Sequence, residues 1–338
     1  MYNVTLIPGD GIGPSIMEAA VRVLEATGVK FTWDKQIAGM TAYEADKTPL
    51  PQETIDSIHR TRIAFKGPLT TPVGTGFRSV NVALRQEFNL YANVRPAISF
   101  EGTRARFKNV NMVTIRENTE GLYSGMEHDI LVEGQKVAAE SIALITKVGS
   151  EKIIRFAFEY AKLHHRKKVT LVHKANILKA TTGMFLEIGR AVANEYPDIT
   201  FTDKIIDACA MHMVMDPDFF DIIVTTNLFG DILSDLAAGL IVGLGLTAGA
   251  NIGKDAAIFE AVHGSAPDIA EKNIANPTAI IIAGVNMLEH LGEYEAAVRV
   301  ERAVREVIRE GIAVTPDLNP ETHCGTQDMA EAIIRRLN

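Results

Sequence analysis

Strand-like runs and helical stretches alternate along this chain, which restricts it to a small set of folds. Apolar, β-branched runs stand at Asn3 to Ile7, Arg62 to Phe65, Asn111 to Ile115, Lys168 to Val172, Thr200 to Ile206 and Asp221 to Thr226. Between them, Ile16, Ala19, Ala20, Val23 and Leu24 form a helical stripe closed by Gly28, and Ser150 to Leu163 and Thr181 to Glu195 read as helices. Such alternation is expected to give an α/β protein with much of its sheet parallel. With 338 residues, the chain exceeds the size at which one core stops growing, so two lobes are expected.

Partners are bounded by charge. A net charge of -8 and a pI near 5.6 argue against nucleic acid or an anionic membrane surface as partner, so an anionic ligand must be held by local arginines. No apolar run approaches a membrane span, and the chain starts in a strand rather than a secretory signal. Cys209 and Cys324 are too few for a disulfide framework, so a reducing cytoplasm is expected and both should be packing residues.

Polar residues gather where the strands stop: Lys66-Gly67-Pro68, Arg116-Glu117-Asn118, His173-Lys174-Ala175-Asn176, Asp207 and Asn227. Ligands of open α/β sheets collect at such carboxyl ends. Asn227 to Gly239 passes from a strand end into a helix, which puts Asp231 and Asp235 on one face. Two like charges there repel, and a hard divalent cation would relieve them. A helix start that favours acids through its dipole is the alternative reading. Ser79 reads as an N-cap before Val80 to Arg85, and Arg85, Arg95 and Arg116 can fork onto carboxylates. The Pro8-Gly-Asp-Gly-Ile-Gly-Pro14 turn lacks the full dinucleotide spacing and reads as a structural strand-to-helix turn. Glu127 to Ile145 reads as a hairpin about Glu133 to Lys136, and as a lone hairpin it should pair with its copy in another protomer. Glu293 to Glu310 is a periodic helix stopped by Gly311.

The motifs Lys66-Gly-Pro-Leu-Thr-Thr-Pro-Val-Gly74, Ser79-Val-Asn-Val-Ala-Leu-Arg85, Arg116-Glu-Asn-Thr-Glu-Gly-Leu-Tyr123, His173-Lys-Ala-Asn176, Gly230-Asp-Ile-Leu-Ser-Asp235 and His263-Gly-Ser-Ala-Pro-Asp268 come in one order. In that order they resemble the isocitrate and isopropylmalate dehydrogenase family over nearly the whole chain. The resemblance implies a two-lobed fold, distinct from the usual Rossmann domain, with a mixed, mostly parallel sheet flanked by helices. Its large cofactor-binding domain would comprise residues 1–96 and 247–338, and its small domain, with the dimer interface and a hairpin arm at about 127–145, residues 97–246.

The resemblance also implies roles. Asp231 and Asp235 would hold Mg or Mn together with Asp207 of a second protomer. Tyr123 would act with Lys174 of the other protomer in the acid/base steps, with Asn176 assisting. Ser79, Asn81, Arg85, Arg95 and Arg116 would bind a small tricarboxylic acid. Thr70, His263, Gly264, Ser265, Ala266, Asp268, Ile269, Asn276 and Asp317 would contact NAD. An acid at position 268 accepts hydrogen bonds from ribose hydroxyls and repels a 2'-phosphate, which favours NAD over NADP. A third substrate carboxylate must be hydrogen-bonded when desolvated, and Ser79 and Asn81 could do this. The expected reaction is therefore NAD-dependent oxidative decarboxylation of isocitrate. Homoisocitrate and 3-isopropylmalate are the alternative substrates, and a non-catalytic regulatory role is a reading from another class. A homodimer with shared sites is expected, and a tetramer remains open.

Overall fold

The computed structural model describes residues 1–71, 77, 79–321 and 324–337. Pro72 to Gly74 of the Lys66 to Gly74 motif lie outside the described residues. In chain order the elements begin with β1 (Tyr2–Ile7), α1 (Gly13–Ala26), β2 (Phe31–Lys35), α2 (Met40–Asp46), α3 (Gln52–Thr61), β3 (Ile63–Lys66) and α4 (Val80–Glu87). There follow β4 (Ala92–Ile98), β5 (Asn111–Glu117), β6 (Glu127–Val132), β7 (Gln135–Ser141), α5 (Lys147–Leu163), β8 (Lys168–His173), α6 (Thr181–Ala193), β9 (Thr200–Ile205) and α7 (Ile206–Met215). The chain closes with β10 (Ile222–Thr225), α8 (Asn227–Leu240), β11 (Ala248–Ile252), β12 (Ala257–Ala261), α9 (Thr278–His290), α10 (Tyr294–Glu310) and α11 (Thr326–Ile334).

Two compact units result. One comprises Met1–Phe88, Ile98–Asn109 and Ala238–Asn338, and the other Asn89–Ala97 and Val110–Ala237. These edges differ from the division into 1–96 with 247–338 and 97–246 expected from the sequence. Most of β4 joins the second unit because it lies beside β5 there, and the following loop returns to the first unit, where Arg305 donates to the Ser99 carbonyl at 3.3 Å.

In the first unit the strand order is β2-β1-β3-β12-β11. The β1/β2, β1/β3 and β3/β12 pairs are parallel, and only β11 runs antiparallel to β12. The stripe expected on α1 is buried through Ile16, Met17, Ala19, Ala20, Val23 and Leu24, and α1 packs against α9 and α11. Gly284 makes this approach possible, since a Cβ there would lie 2.9 Å from the Leu24 side chain. Helix α10 buries Ala296, Ala297, Val300, Ala303, Val304, Val307 and Ile308, then stops at left-handed Gly311, which donates to the Val307 carbonyl.

In the second unit the order is β4-β5-β10-β8-β9, and the β5/β10, β10/β8 and β8/β9 pairs are parallel. Ile222, Ile223, Val224, Val169, Leu171 and Val172 are fully buried, each contributing roughly 1.5–3 kcal/mol through the area it removes from water. Helix α5 starts at Lys147 rather than Ser150, because the Thr146 hydroxyl accepts from the Gly149 amide and satisfies a free donor of the first turn. β6 and β7 form the expected antiparallel hairpin, exposed along both strands. Glu133 and Gly134 both have positive φ, the backbone of a tight two-residue hairpin turn.

Candidate active site

The centre of the second unit lies where β10 passes into α8. The amide of Gly230 donates to the Thr226 carbonyl, so the helix begins as the strand ends, with Asn227 fully buried in its first turn. Asp231 and Asp235 lie four positions apart, which places both carboxylates on one face, as the sequence implies. The cations facing them come from neighbouring strands. Arg116, near the end of β5, has a side chain only 1% exposed, and its Nη1 donates to Asp231 Oδ1. Its Nε and Nη2 both donate to Asn227 Oδ1, at 3.1 and 2.7 Å. Arg95 on β4 donates through Nη1 to Ser234 Oγ at 2.7 Å and also approaches Asp231 at 3.3 Å and Asp235 at 3.4 Å.

Tyr123 completes this cluster. It sits in a one-turn 3-10 helix, Leu122–Ser124, entered through Gly121 with φ of 75°. Its hydroxyl donates to Asp231 Oδ2, and the Arg116 guanidinium lies 5.0 Å from its ring centroid. Burial, then the hydrogen bond and the charge of Asp231, hold the Tyr123 hydroxyl protonated above its ordinary range, against the opposing pull of Arg116. Burial likewise raises the Asp235 carboxyl, aided by neighbouring Asp231 and opposed by Arg95 and Arg116. Arg95, Arg116, Tyr123, Asp231 and Asp235 are thus brought together.

Lys174 follows β8, and its ammonium pairs with Asp207, which lies in the first turn of α7 where the helix dipole favours an acid. The hydrogen bond from Lys174 draws the Asp207 carboxyl below its usual range. Asn176 is exposed in the turn after Lys174. Among the described residues no three His, Cys, Asp or Glu side chains cluster as a metal cage. Asp231 and Asp235 are hard oxygen donors on one helix face, a chemistry that fits Mg or Mn but provides only part of a coordination sphere.

The first unit holds the other expected residues. Ser79 is the N-cap residue of α4, but its side chain makes no capping hydrogen bond, so the expected hydroxyl cap is absent. Asn81 has a buried Oδ1 without a hydrogen-bond partner, and Arg85 is buried. The Thr70 and Ser265 hydroxyls lie 2.7 Å apart. Asn276 donates to Asp317 at 2.9 Å, and Gly245 leaves room beside them: a Cβ there would stand 3.7 Å from each side chain. Gly264, Ala266, Asp268 and Ile269 follow β12, with Asp268 exposed in the 3-10 turn Pro267–Ile269. His263 Nε2 is buried with no hydrogen-bond partner, and burial lowers its pKa. An unpaired ring nitrogen and an exposed acid on the loop after β12, with a hydroxyl pair joining that loop to Thr70 after β3, are a donor and acceptor set that fits a nucleotide.

Three pairings were not legible in the sequence, although Lys66 and Asn227 stand among the polar residues noted at strand ends. Asp10, inside the Pro8 to Pro14 turn, accepts from the amides of Met40, Thr41 and Thr70 at 3.0, 2.9 and 2.7 Å, which makes this turn an anchor, in keeping with its structural reading. Lys66 and Glu260 form a buried ion pair at 2.6 Å. Asn227 stands in the sequence only as one of those polar residues at strand ends, without its partners Arg116 and Glu120. Each depends on partners remote in sequence, so no local spacing could signal it.

A family model described as isocitrate/isopropylmalate dehydrogenase matches residues 3–333. A crystal structure of isocitrate dehydrogenase from Methylococcus capsulatus is 70% identical, with a TM-score of 0.98, and the match covers 100% of this chain and 99% of that one. The probable mitochondrial NAD isocitrate dehydrogenase alpha chain of Drosophila melanogaster is 49% identical over 95% of this chain and 84% of the relative. A mitochondrial NAD isocitrate dehydrogenase chain of Dictyostelium discoideum, named as regulatory, is 47% identical over 100% of this chain and 94% of the relative. The chain belongs to the isocitrate/isopropylmalate dehydrogenase family.

Proposed function

We propose that this chain catalyses the NAD-dependent oxidative decarboxylation of isocitrate to 2-oxoglutarate and carbon dioxide, with Mg or Mn. The observation that carries this reading is the cluster of Tyr123 and the buried Arg116 and Arg95 around the partly exposed Asp231 and Asp235, in a chain whose relatives are named isocitrate dehydrogenases. Arg95 and Arg116 bind substrate carboxylates in fixed, water-poor positions, where charge-assisted hydrogen bonds are strongest. Tyr123, kept protonated by its surroundings, supplies a proton to the carbon that has lost carbon dioxide. Lys174, contributed by a second copy of the chain, takes the proton of the substrate hydroxyl as a free amine, once its ammonium has released a proton to solvent, and Asn176 orients it. Ser79, Asn81 and Arg85 receive the remaining carboxylate.

Asp231 and Asp235, with Asp207 of that second copy, would hold the metal, which lowers the pKa of the substrate hydroxyl and offsets developing negative charge. Thr70, His263 to Ala266, Asp268, Ile269, Asn276 and Asp317 would hold NAD, the hydride acceptor. Active sites shared between two copies make a homodimer the smallest complete assembly. The proposed setting is cytoplasmic, whereas the Drosophila relative is named mitochondrial.

The name of the Dictyostelium relative supports a second reading, a regulatory role within a mixed assembly. The two separate in one experiment: initial rates of NADH and NADPH formation by the purified chain alone, with isocitrate, homoisocitrate and 3-isopropylmalate, with and without Mg. The proposal requires isocitrate with NAD to be the best pair and chelation to abolish the rate. A chain inert with all three acids would favour the regulatory reading.

A further inference from the structure

Asn227 is fully buried and belongs to none of the expected binding sets, yet it uses both ends of its amide. Its Oδ1 accepts from Arg116 Nε at 3.1 Å and Nη2 at 2.7 Å. Its Nδ2 donates to the Glu120 carbonyl at 3.1 Å. The orientation is fixed by chemistry, because the flipped amide would set its NH2 against guanidinium donors and its oxygen against a carbonyl oxygen. Glu120 begins the turn that carries Tyr123. The next residue, Gly121, packs on Asn227, since a Cβ there would lie 3.5 Å from the Asn227 Cβ. The Glu120 carboxylate accepts from the Thr146 amide at 2.9 Å and from the Thr146 hydroxyl, and the Gly121 amide donates to the Leu144 carbonyl at 2.8 Å, which closes the root of the exposed hairpin.

We infer that Asn227 is a positioning residue: it fixes the Arg116 guanidinium and the Tyr123 turn relative to one another, so that the anion-binding group and the proton donor move as one body. This rests on the proposed roles of Arg116 and Tyr123. Few side chains could replace it. Aspartate keeps the acceptor for Arg116 but has no donor for the Glu120 carbonyl, alanine has neither, and glutamine is one methylene longer in a fully buried position.

The test uses the purified chain, with isocitrate, NAD and Mg as probes, in a double-mutant cycle of Asn227→Ala and Tyr123→Phe. With its acceptor gone, Arg116 loses two charge-assisted hydrogen bonds, and the KM for isocitrate should rise by about tenfold or more. The kcat should fall by a similar factor in the Tyr123-containing enzyme but change less than threefold in the Tyr123→Phe background, because the group that Asn227 positions is then missing. Asn227→Asp, which keeps the acceptor and removes only the donor, serves as the second variant should alanine not fold, and it should lower kcat more than it raises KM. A purely structural role would cost the same factor in both backgrounds, and that additivity would overturn the inference. So would wild-type kcat and KM in the folded alanine variant. A wild-type chain inert with isocitrate would instead sink the proposed function on which the inference rests.

Discussion

The Tyr123 hydroxyl donates to one oxygen of the Asp231 carboxylate while Arg116 holds the other. A single acid therefore joins the proton donor to a buried cation, and burial, then the adjacent carboxylate, raises the hydroxyl above its ordinary range because both disfavour a phenolate. Tyr123→Phe should lower kcat by roughly 100-fold to 10,000-fold, as expected for loss of a general acid, with a smaller change in KM. Ultraviolet titration supplies an independent check: the variant should lack one of the tyrosines that ionise above the ordinary range. An active variant would require another proton donor.

Gly230 lies against the Arg116 side chain, and a Cβ there would stand 2.5 Å from Arg116 Cγ and 3.2 Å from its Cα. Backbone cannot yield as a flexible side-chain tip can, so Gly230→Ala must displace Arg116 or the start of α8. Overpacking of this kind costs typically about 1–3 kcal/mol. Denaturant unfolding should register that loss, and the KM for isocitrate should rise. Wild-type values of both would mean that the two elements separate easily.

Glu260 is buried against Lys66 at 2.6 Å and accepts from Asn251 at 2.7 Å. Burial pushes its carboxyl up, but the Lys66 and Arg85 charges and the hydrogen bonds outweigh this and leave it at about 2. This folded value lies below the unfolded one of about 4.3. The pair therefore contributes stability that is complete above roughly pH 5 and is lost as pH falls toward the folded value. Glu260→Gln should flatten the stability profile across that acid window. At neutral pH it should cost about 3–5 kcal/mol by leaving Lys66 a buried, uncompensated charge. Urea midpoints from pH 3 to 7 decide this, and parallel profiles for the two proteins would count against it.

Asp268 and Ile269 share the 3-10 turn that follows the His263 loop, with Asp268 exposed. Replacing them by Lys and Tyr removes a charge that repels a 2'-phosphate and adds one that attracts it. The ratio of kcat/KM for NAD to that for NADP should shift toward NADP by an order of magnitude or more. A double variant that still strongly prefers NAD would move the ribose site elsewhere.

Mixing of protomers tests the sharing of Lys174. Lys174→Ala and Tyr123→Phe chains, each nearly inactive, should regain activity when exchanged, since one site of the hybrid would have both groups. Tagged co-purification establishes the exchange, and no recovery despite it would place the whole site within one chain.

Periodicity carried much of the fold. Runs with strong β-branched character became β1, β3, β5, β8, β9 and β10, and the expected helices became α1, α5, α6 and α10 within a few residues. What escaped was short or locally ambiguous. β4 contains Pro96, which weakens any strand reading, and β11, Ala-Gly-Ala-Asn-Ile, has little apolar bulk of its own. These strands form because neighbours supply hydrogen bonds and burial, information that no local window contains. The same limit applied to Ser79, whose N-cap position is readable but whose hydroxyl makes no cap.

The sequence by itself determined the α/β class, the placing of Asp231 and Asp235 on one helix face, and the arginines available to meet an anion. All of these follow from spacing along a helix or from chemistry gathered at strand ends. Only the tertiary structure decided which cation meets which carboxylate, that Asn227 grips Arg116, and that Lys66 and Glu260 share a buried pocket. Side chains from distant strands become neighbours only when the sheet order brings them together, and burial then makes each pairing strong enough to matter.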